Sequence, residues 1–496
     1  MRINSISNIN SVSNHKNTGN FDVQKNSISN NTTLMDKSTA LAFKAYTQEF
    51  RPSAKSAESS SVNASMIFNC FENDAKKVIW DFQDRAGKKG QFLNWVDLPN
   101  EQLKPNSKGI SHVDEIYAQV KQLKKQSGDY PLVVLGIGGS KHTNETLLNL
   151  AGVGNKGKVY FYSDIDSLSK SNFAKEIGGD LSKANYLVVS KSGTTFETKD
   201  AFMRFQDSVE KSMKGFNKKA KAEKHFAIAT DATAKGMNLR NAIGHKNGDF
   251  NNYIKELYIH DDVGGRYSVF DDPGIFVLAY AGVDKDTTNK ILEGARSMST
   301  FAQHTRIQQN PAIKSAIFDV YSHKVGNNIT VQQAFGHVFE GGFENWSKQL
   351  YLESLKDFDF HVGKAPDSMH YASENHFKDD RRSSYNTVMT TMNLDPEKDP
   401  NYTKYIGAIA EEYNQTTPLT IEKLDVNEKG TGIDARTIGQ YMQAKHFETV
   451  YKGMLRRQVN GEAQPEVLPE VLQPNVEKYK NRFKEGQFKL EPGAGI

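Results

Sequence analysis

The chain has 496 residues, a quarter of them charged, and a formal net charge of +4. That length holds two or three domains with sizeable cores, and that charge is too mild to argue for nucleic acid or a membrane surface as a partner. A single cysteine, Cys70, excludes an intrachain disulfide and fits a reducing, cytoplasmic setting. No apolar run approaches the ~20 residues of a membrane helix, and the start of the chain has no secretory-type apolar core.

Residues 1–66 are dense in Asn and Ser, with little apolar periodicity before Leu41–Phe43. Such a segment cannot bury enough surface to offset the entropy of ordering it, so most of it is expected to be flexible. From residue 112 onward, short apolar runs alternate with helical patterns. The runs are Leu132–Leu135, Val159–Tyr162, Tyr186–Val189, Phe226–Ala229 and Leu257–Ile259, and Ala201, Phe202, Phe205 and Val209 recur at helical spacing between two of them. That alternation predicts a parallel sheet with crossover helices. A helix-richer stretch, about 290–450, carries candidate strands near Ala316–Tyr321 and Leu419–Leu424. The end, 437–485, reads as two helical pieces broken by the Pro-containing segment 461–474.

Four loops carry the chemistry. The first, LVVLGIGGSK at 132–141, is a strand running into a glycine turn. It fits neither dinucleotide template nor P-loop, since Lys141 stands where G-x-G-x-x-G needs its last glycine. The second is YLVVSKSGTTFETKD, 186–200, a strand entering the hydroxyl-rich turn Ser190-Lys191-Ser192-Gly193-Thr194-Thr195. Thr194 and Glu197 have capping-box spacing, which predicts a helix from this turn. Hydroxyls, N–H groups at a helix start and the Lys191 ammonium together suit a phosphate monoester. In a parallel sheet both loops fall at the carboxyl ends of strands, where ligands bind. Third, in DDVGGRYSVFDDPG, 261–274, the Gly264-Gly265 pair presents Arg266, a permanent cation suited to stabilising an oxyanion or enolate. Fourth, in GGFENWSKQLYLESLKD, 341–357, Phe343, Trp346 and Leu350 form an apolar helical face, while Gln349 and Glu353 share another. A carboxylate so placed can act as a base.

In combination, GIGGS, SKSGTT, GGRYS and QLYLES resemble, in order, the glucose-6-phosphate isomerase (phosphoglucose isomerase) family, from about 112 to 485. SKSGTT alone marks the wider class of sugar-isomerase (SIS) phosphosugar-binding domains, and the other motifs narrow it. LQPNVEKYKNRF, 472–483, is similar to the family's D-Q-x-G-V-E-x-x-K segment, with Leu472 and Asn475 as departures and Lys480 on its lysine.

The resemblance implies an α/β fold: two SIS-type (flavodoxin-like) αβα sandwich domains with parallel-type central sheets, plus a C-terminal helical arm. The expected boundaries are a flexible extension 1–66, a first SIS domain 67–289 with an N-terminal helical segment, a second 290–450, and an arm 451–496 carrying Lys480. It also implies interconversion of glucose 6-phosphate and fructose 6-phosphate by ring opening and a cis-enediolate. Glu353 matches the family's base, Arg266 the arginine of the enediolate and Lys480 the lysine of ring opening. KAPDSMHYASENHF places the family's histidine at His370, with His361 and His376 as neighbouring candidates. Ser190, Lys191, Ser192 and Thr195 are implied to hold the phosphate, with Thr194 mainly capping the helix. Gly139 and Ser140 line the sugar, Gly136, Gly138 and Gly139 let the backbone approach it, and Gln349 contacts it. A homodimer with the site at the subunit interface is implied; no cofactor or metal is, since Arg266 supplies the electrophile.

Three alternatives stand beside this. An isomerase of broader specificity would accept mannose 6-phosphate as well. A non-catalytic phosphosugar-binding regulator has no reason to keep Glu353, Arg266 and Lys480 together. A glucosamine-6-phosphate synthase-like protein needs an amidotransferase domain with an N-terminal cysteine nucleophile, and Cys70 is the only cysteine.

Overall fold

Among the described residues, ten strands lie in two five-stranded sheets. The structure, a computed structural model, describes residues 46–53, 62–154, 158–231, 239, 257–356, 360–369, 384–474 and 478. Strand β1 is Tyr46–Arg51, β2 Leu132–Leu135, β3 Val159–Tyr162, β4 Asn185–Val189, β5 Phe226–Asp231 and β6 Leu257–Ile259. Further on, β7 is Ile329–Phe335, β8 Phe360–Ala365, β9 Tyr385–Asn393 and β10 Leu419–Asp425. The first sheet runs β3-β2-β4-β5-β6, all parallel. Its five strands, counted along the chain, stand in the flavodoxin-like order 2-1-3-4-5. The second sheet reads β8-β7-β9-β10 in the same 2-1-3-4 sense, and β1 closes it as an antiparallel edge.

The apolar runs read from the sequence are strands because both faces of each sheet are covered. β2, β4 and β5 are buried along their whole length, so they show no polar alternation. Successive side chains still point to opposite faces. Leu132 and Val134 join one core cluster, whereas Val133 and Leu135 join another. A third cluster, including Met389, Tyr413 and Ile421, packs on the second sheet.

Two expectations need correction here. Within 1–66, Tyr46–Arg51 is ordered as the edge strand β1, with the buried Tyr46 hydroxyl bonded to Glu422. The Ala316–Tyr321 run is not a strand but part of the helix Pro311–Lys324. Asn310 caps that helix, Pro311 opens it, and nearly every residue from 311 to 322 is buried. A helix buried all round has the same short apolar run as a covered strand, so periodicity cannot separate them. The expected strand at 419–424 is β10, and the expected helix near 437 is Ala435–Val459. The second helical piece falls largely outside the described residues.

The helix Ala435–Val459 is buried for most of its length and touches both halves of the fold. It approaches the helix Lys285–Ala302 so closely at Gly439 that a Cβ there would come 2.6 Å from the Ala295 nitrogen. Its polar side chains form an internal ion network. Lys445 meets Glu422 at 2.5 Å and Glu448 at 3.0 Å, and Lys452 meets Glu448 at 2.8 Å and Asp319 at 3.4 Å. Tyr351 donates to Glu448 at 2.7 Å, tying the helix Phe343–Leu355 to this centre. Among the described residues no helix is long and apolar enough to cross a membrane.

Candidate active site

Each sheet has one strand at which the chain reverses direction across the sheet. From β2 the chain passes to β3 on one side and then to β4 on the other; from β7 it passes to β8 and then to β9. Ligands in such sheets sit beyond the carboxyl ends of strands at these switch points. The glycine turn and the helix Gly139–Leu150 follow β2; the helix Phe343–Leu355, with Gln349 and Glu353, follows β7. These two helices pack together, with Asn149 Nδ2 donating to the Glu340 carbonyl at 2.7 Å. The site therefore draws on both switch points.

Gly138 caps the first helix at φ 58°, ψ −126°, a conformation that L side chains avoid. The next residue is more constrained by space than by angle. A Cβ on Gly139 would fall onto the Gly265 carbonyl and 2.8 Å from the Arg266 amide nitrogen, and one on Gly138 would come 2.8 Å from Gln349 Nε2. These glycines make room for the protein's own backbone and for Gln349. Ser140, half-buried in the first turn of the helix, stands beside this contact.

β4 pairs with β2, so the 190–195 turn leaves the sheet next to the glycine turn. Ser190 is buried, and its hydroxyl has no hydrogen-bond partner among the described residues. Ser192 Oγ lies 2.8 Å from Thr194 Oγ1 and accepts the Thr194 N–H at 3.3 Å. Thr195 is the N-cap of the helix Phe196–Ser212, with no side-chain capping bond. The helix forms as expected, but the Thr194–Glu197 capping box does not, because Thr194 is turned into its own loop. Lys191 donates to the carbonyls of Asp261 and, at 3.0 Å, Val263. Its ammonium thus fastens this loop to the segment leading to Arg266.

Arg266 sits in the 3-10 turn Gly265–Tyr267 and is 2% exposed. All three guanidinium nitrogens are engaged. Nε donates to Ser354 Oγ at 2.7 Å, Nη1 to Glu353 Oε2 at 3.3 Å, and Nη2 to the carbonyls of Glu470 at 2.5 Å and Leu472 at 3.2 Å. The other Glu353 oxygen accepts Gln349 Nε2 at 3.2 Å, as i,i+4 spacing on one helical face requires. Gln349 Oε1 is buried without a hydrogen-bond partner among the described residues. Glu353 keeps 29% of its side chain exposed, so the carboxylate is reachable while the guanidinium behind it is not. Buried donors preset against a carboxylate favour charge developing on a neighbouring ligand, because no reorganisation is needed.

The sequence motifs omitted several members of this cluster. Ser354 and Tyr267 adjoin Glu353 and Arg266 in the chain and were legible only as part of the same motifs; their hydroxyls lie 3.0 Å apart. Glu470 and Lys356 gave no signal. Glu470 is held by Arg457 at 2.7 and 3.0 Å. Lys356 reaches the carbonyls of Glu353, Ser354, Pro469 and Leu472. Burial, then the nearby Arg266 charge, brings the Lys356 ammonium down to about 8. His361 is an exposed residue of β8. His370, His376 and Lys480 lie outside the described residues. A cavity of about 570 Å³, bordered by His112, Tyr258 and His260, lies nearby and contains none of the expected site residues.

Two flavodoxin-like sheets whose switch-point loops meet over an Arg–Glu pair define a doubly wound α/β protein. The fold is similar to that of a glucose-6-phosphate isomerase from Chlamydia trachomatis, with a TM-score of 0.66 at 15% identity over 91% of this chain and 90% of that one. A hypothetical protein of Thermus thermophilus has a TM-score of 0.67 at 18% identity, over 89% of this chain and all of that one. The family model of phosphoglucose isomerase matches residues 110–355. A glucose-6-phosphate isomerase of Caldanaerobacter subterraneus subsp. tengcongensis is 29% identical over 64% of this chain and 67% of its own length. One from Clostridioides difficile is 27% identical over 62% and 66%. Over residues 110–355 the chain is similar to the phosphoglucose isomerase family.

Proposed function

We propose that the protein interconverts glucose 6-phosphate and fructose 6-phosphate by moving one proton between C1 and C2 of the open-chain sugar. Glu353 takes the proton from C2 of the aldose. The C–H electron pair forms the C1–C2 double bond, and charge gathers on O1 at the open side of the Glu353–Arg266 pair, within the field of the buried guanidinium. Glu353 returns the proton to C1, and the hydroxyl proton passes from O2 to O1, which gives the ketose. The 190–195 turn, at the start of a 17-residue helix, holds the remote phosphate with its N–H groups and hydroxyls. Lys191 contributes charge there while its ammonium stays on the carbonyls of Asp261 and Val263. Gly139 and Ser140 border the sugar, with Gln349 between them and the base. His370 and Lys480 serve ring opening, and the active unit is a homodimer with the site at its interface.

The observation that carries this reading is the pairing of Glu353 with a buried Arg266 at the meeting of both switch points. A lone phosphate-binding loop would need neither. Fructose 6-phosphate given to the purified protein yields glucose 6-phosphate without added metal or nucleotide. A Glu353→Gln variant keeps binding the sugar phosphate and loses roughly 10²–10⁴-fold in kcat, the usual share of a positioned base. Wild-type protein that binds but does not turn over would make it a phosphosugar-binding regulator instead.

A further inference from the structure

Lys356 ends the helix Phe343–Leu355 in the left-handed conformation, φ 57° and ψ 24°. Glycine usually occupies such a C-terminal position, and an L side chain there costs about 1–2 kcal/mol. Only Phe92 and Asn217 share a positive φ among the described non-glycine residues. The lysine must therefore give something that glycine would not. Its ammonium has three protons and reaches four carbonyls. Two belong to its own helix end, Glu353 at 2.7 Å and Ser354 at 3.2 Å. The other two, Pro469 at 2.7 Å and Leu472 at 3.2 Å, belong to a turn more than a hundred residues away in sequence.

That turn, Pro469–Val471 and the residue after it, is the same one that orients Arg266. Nη2 of Arg266 takes the carbonyls of Glu470 and Leu472, so the Leu472 oxygen receives both cations. Two positive groups on one oxygen repel, and the Glu353 carboxylate at 3.3 Å from Arg266 Nη1 offsets this. On its far side the turn is clamped by the Arg457–Glu470 pair, in which Glu470 is buried. It is thus gripped by a cation from the Glu353 helix and another from the helix Ala435–Val459, with the Arg266 guanidinium between.

We infer that Lys356 is a positioning residue: it fastens the 469–472 turn to the end of the Glu353 helix and so fixes Arg266 against the Glu353 carboxylate. The inference rests on the isomerase reading proposed above. A helix cap alone would leave turnover indifferent to the ammonium. Full-length Lys356→Gly, Lys356→Met and Lys356→Arg variants separate the two by kcat and KM for fructose 6-phosphate and by thermal unfolding. Glycine is at ease at φ 57°, so Lys356→Gly unfolds within a few degrees of wild type while Lys356→Met, which keeps the strain, unfolds earlier. Both lose about tenfold or more in kcat with KM within about twofold, the split expected when a preset group is displaced rather than substrate binding lost. Lys356→Arg, which keeps a cation in reach of the carbonyls, recovers most of the kcat. A Lys356→Gly enzyme with wild-type kcat overturns the inference and leaves the isomerase reading standing. So does a Lys356→Arg variant as impaired as Lys356→Met. Wild-type protein without turnover removes both.

Discussion

Gly139→Ala is the sharpest perturbation of the site, because it adds one methyl group at the contact between the glycine turn and the arginine turn. The new Cβ would overlap the Gly265 carbonyl and stand 2.8 Å from the Arg266 nitrogen. Ordinary separations are roughly 3.5 Å, so the two turns must part by about 1 Å. Neither is free to yield. The glycine turn is fixed by Ser140 N–H to Ile137 and His142 N–H to Gly138, and Arg266 is held by four acceptors on two other segments. Overpacking of this kind costs about 1–3 kcal/mol of stability. A displacement near 1 Å at a charge-stabilising group costs on the order of 10²-fold in turnover. The assay is the coupled production of glucose 6-phosphate from fructose 6-phosphate, read as kcat, alongside a urea unfolding midpoint. Gly265→Ala, across the same contact, is the stability control, since a Cβ there meets nothing within 4 Å. Its midpoint stays at the wild-type value. Gly139→Ala with kcat within about twofold of wild type refutes the interlock.

Ser192→Asp puts a carboxylate in the proposed phosphate loop and is expected to raise KM and lower kcat together, because energy from the non-reacting phosphate orients C1 and C2. Unchanged constants in that variant sink the loop assignment. Lys445→Met leaves Glu422 buried without the ammonium 2.5 Å away, and removing one partner of a buried pair costs roughly 3–5 kcal/mol; an unmoved unfolding midpoint contradicts this. His260 gives the pH dependence. Burial pushes its pKa down, but the hydrogen bonds of Asp271 and Glu101 outweigh that and carry it to about 10. A histidine raised in the folded state adds stability that is fully present below its unfolded value near 6.5 and is lost as pH rises toward about 10. The stability difference between wild type and His260→Gln accordingly shrinks across that window in urea titrations, and a flat difference refutes the assignment.

How much of this was legible in the sequence follows from which forces act locally. The strands of the first sheet were readable because parallel strands covered on both faces become uninterrupted apolar runs, as in Tyr186–Val189. The same rule misled at 316–321, where a fully buried helix wrote the same run. Gln349 and Glu353 were placed on one face by spacing alone, and their bond at 3.2 Å follows from it. What escaped depends on contacts that spacing cannot express. Tyr46–Arg51 becomes a strand only through its pairing with β10, and the carbonyls of Glu470 and Leu472 carry no side-chain signature at all. No internal sequence repeat marks the two sheets, yet both follow the 2-1-3-4 order, because topology constrains where strands lie and not which apolar residues fill them.

That repeated topology explains the unusual glycine turn. In a single doubly wound sheet, the turn after the switch strand faces ligand, and its glycines admit the ligand's closest atoms. Here the switch helix of the other sheet brings Gln349 against Gly138, and the arginine turn lies on Gly139. The glycines serve to bring the proposed electrophile and the base's helix against the first sheet. A polar loop at one switch point can hold an anion, but cannot by itself set a base at the far end of the same molecule. The meeting of the second switch point with the first places the proposed base, with Glu353 reachable on one side and the guanidinium shut in behind it. Lys191 completes the coupling, since its bonds to Asp261 and Val263 link the proposed anion-binding turn to the strand-to-arginine segment. Displacement of either turn is therefore transmitted to the other, and changes in the 190–195 loop alter turnover as well as affinity.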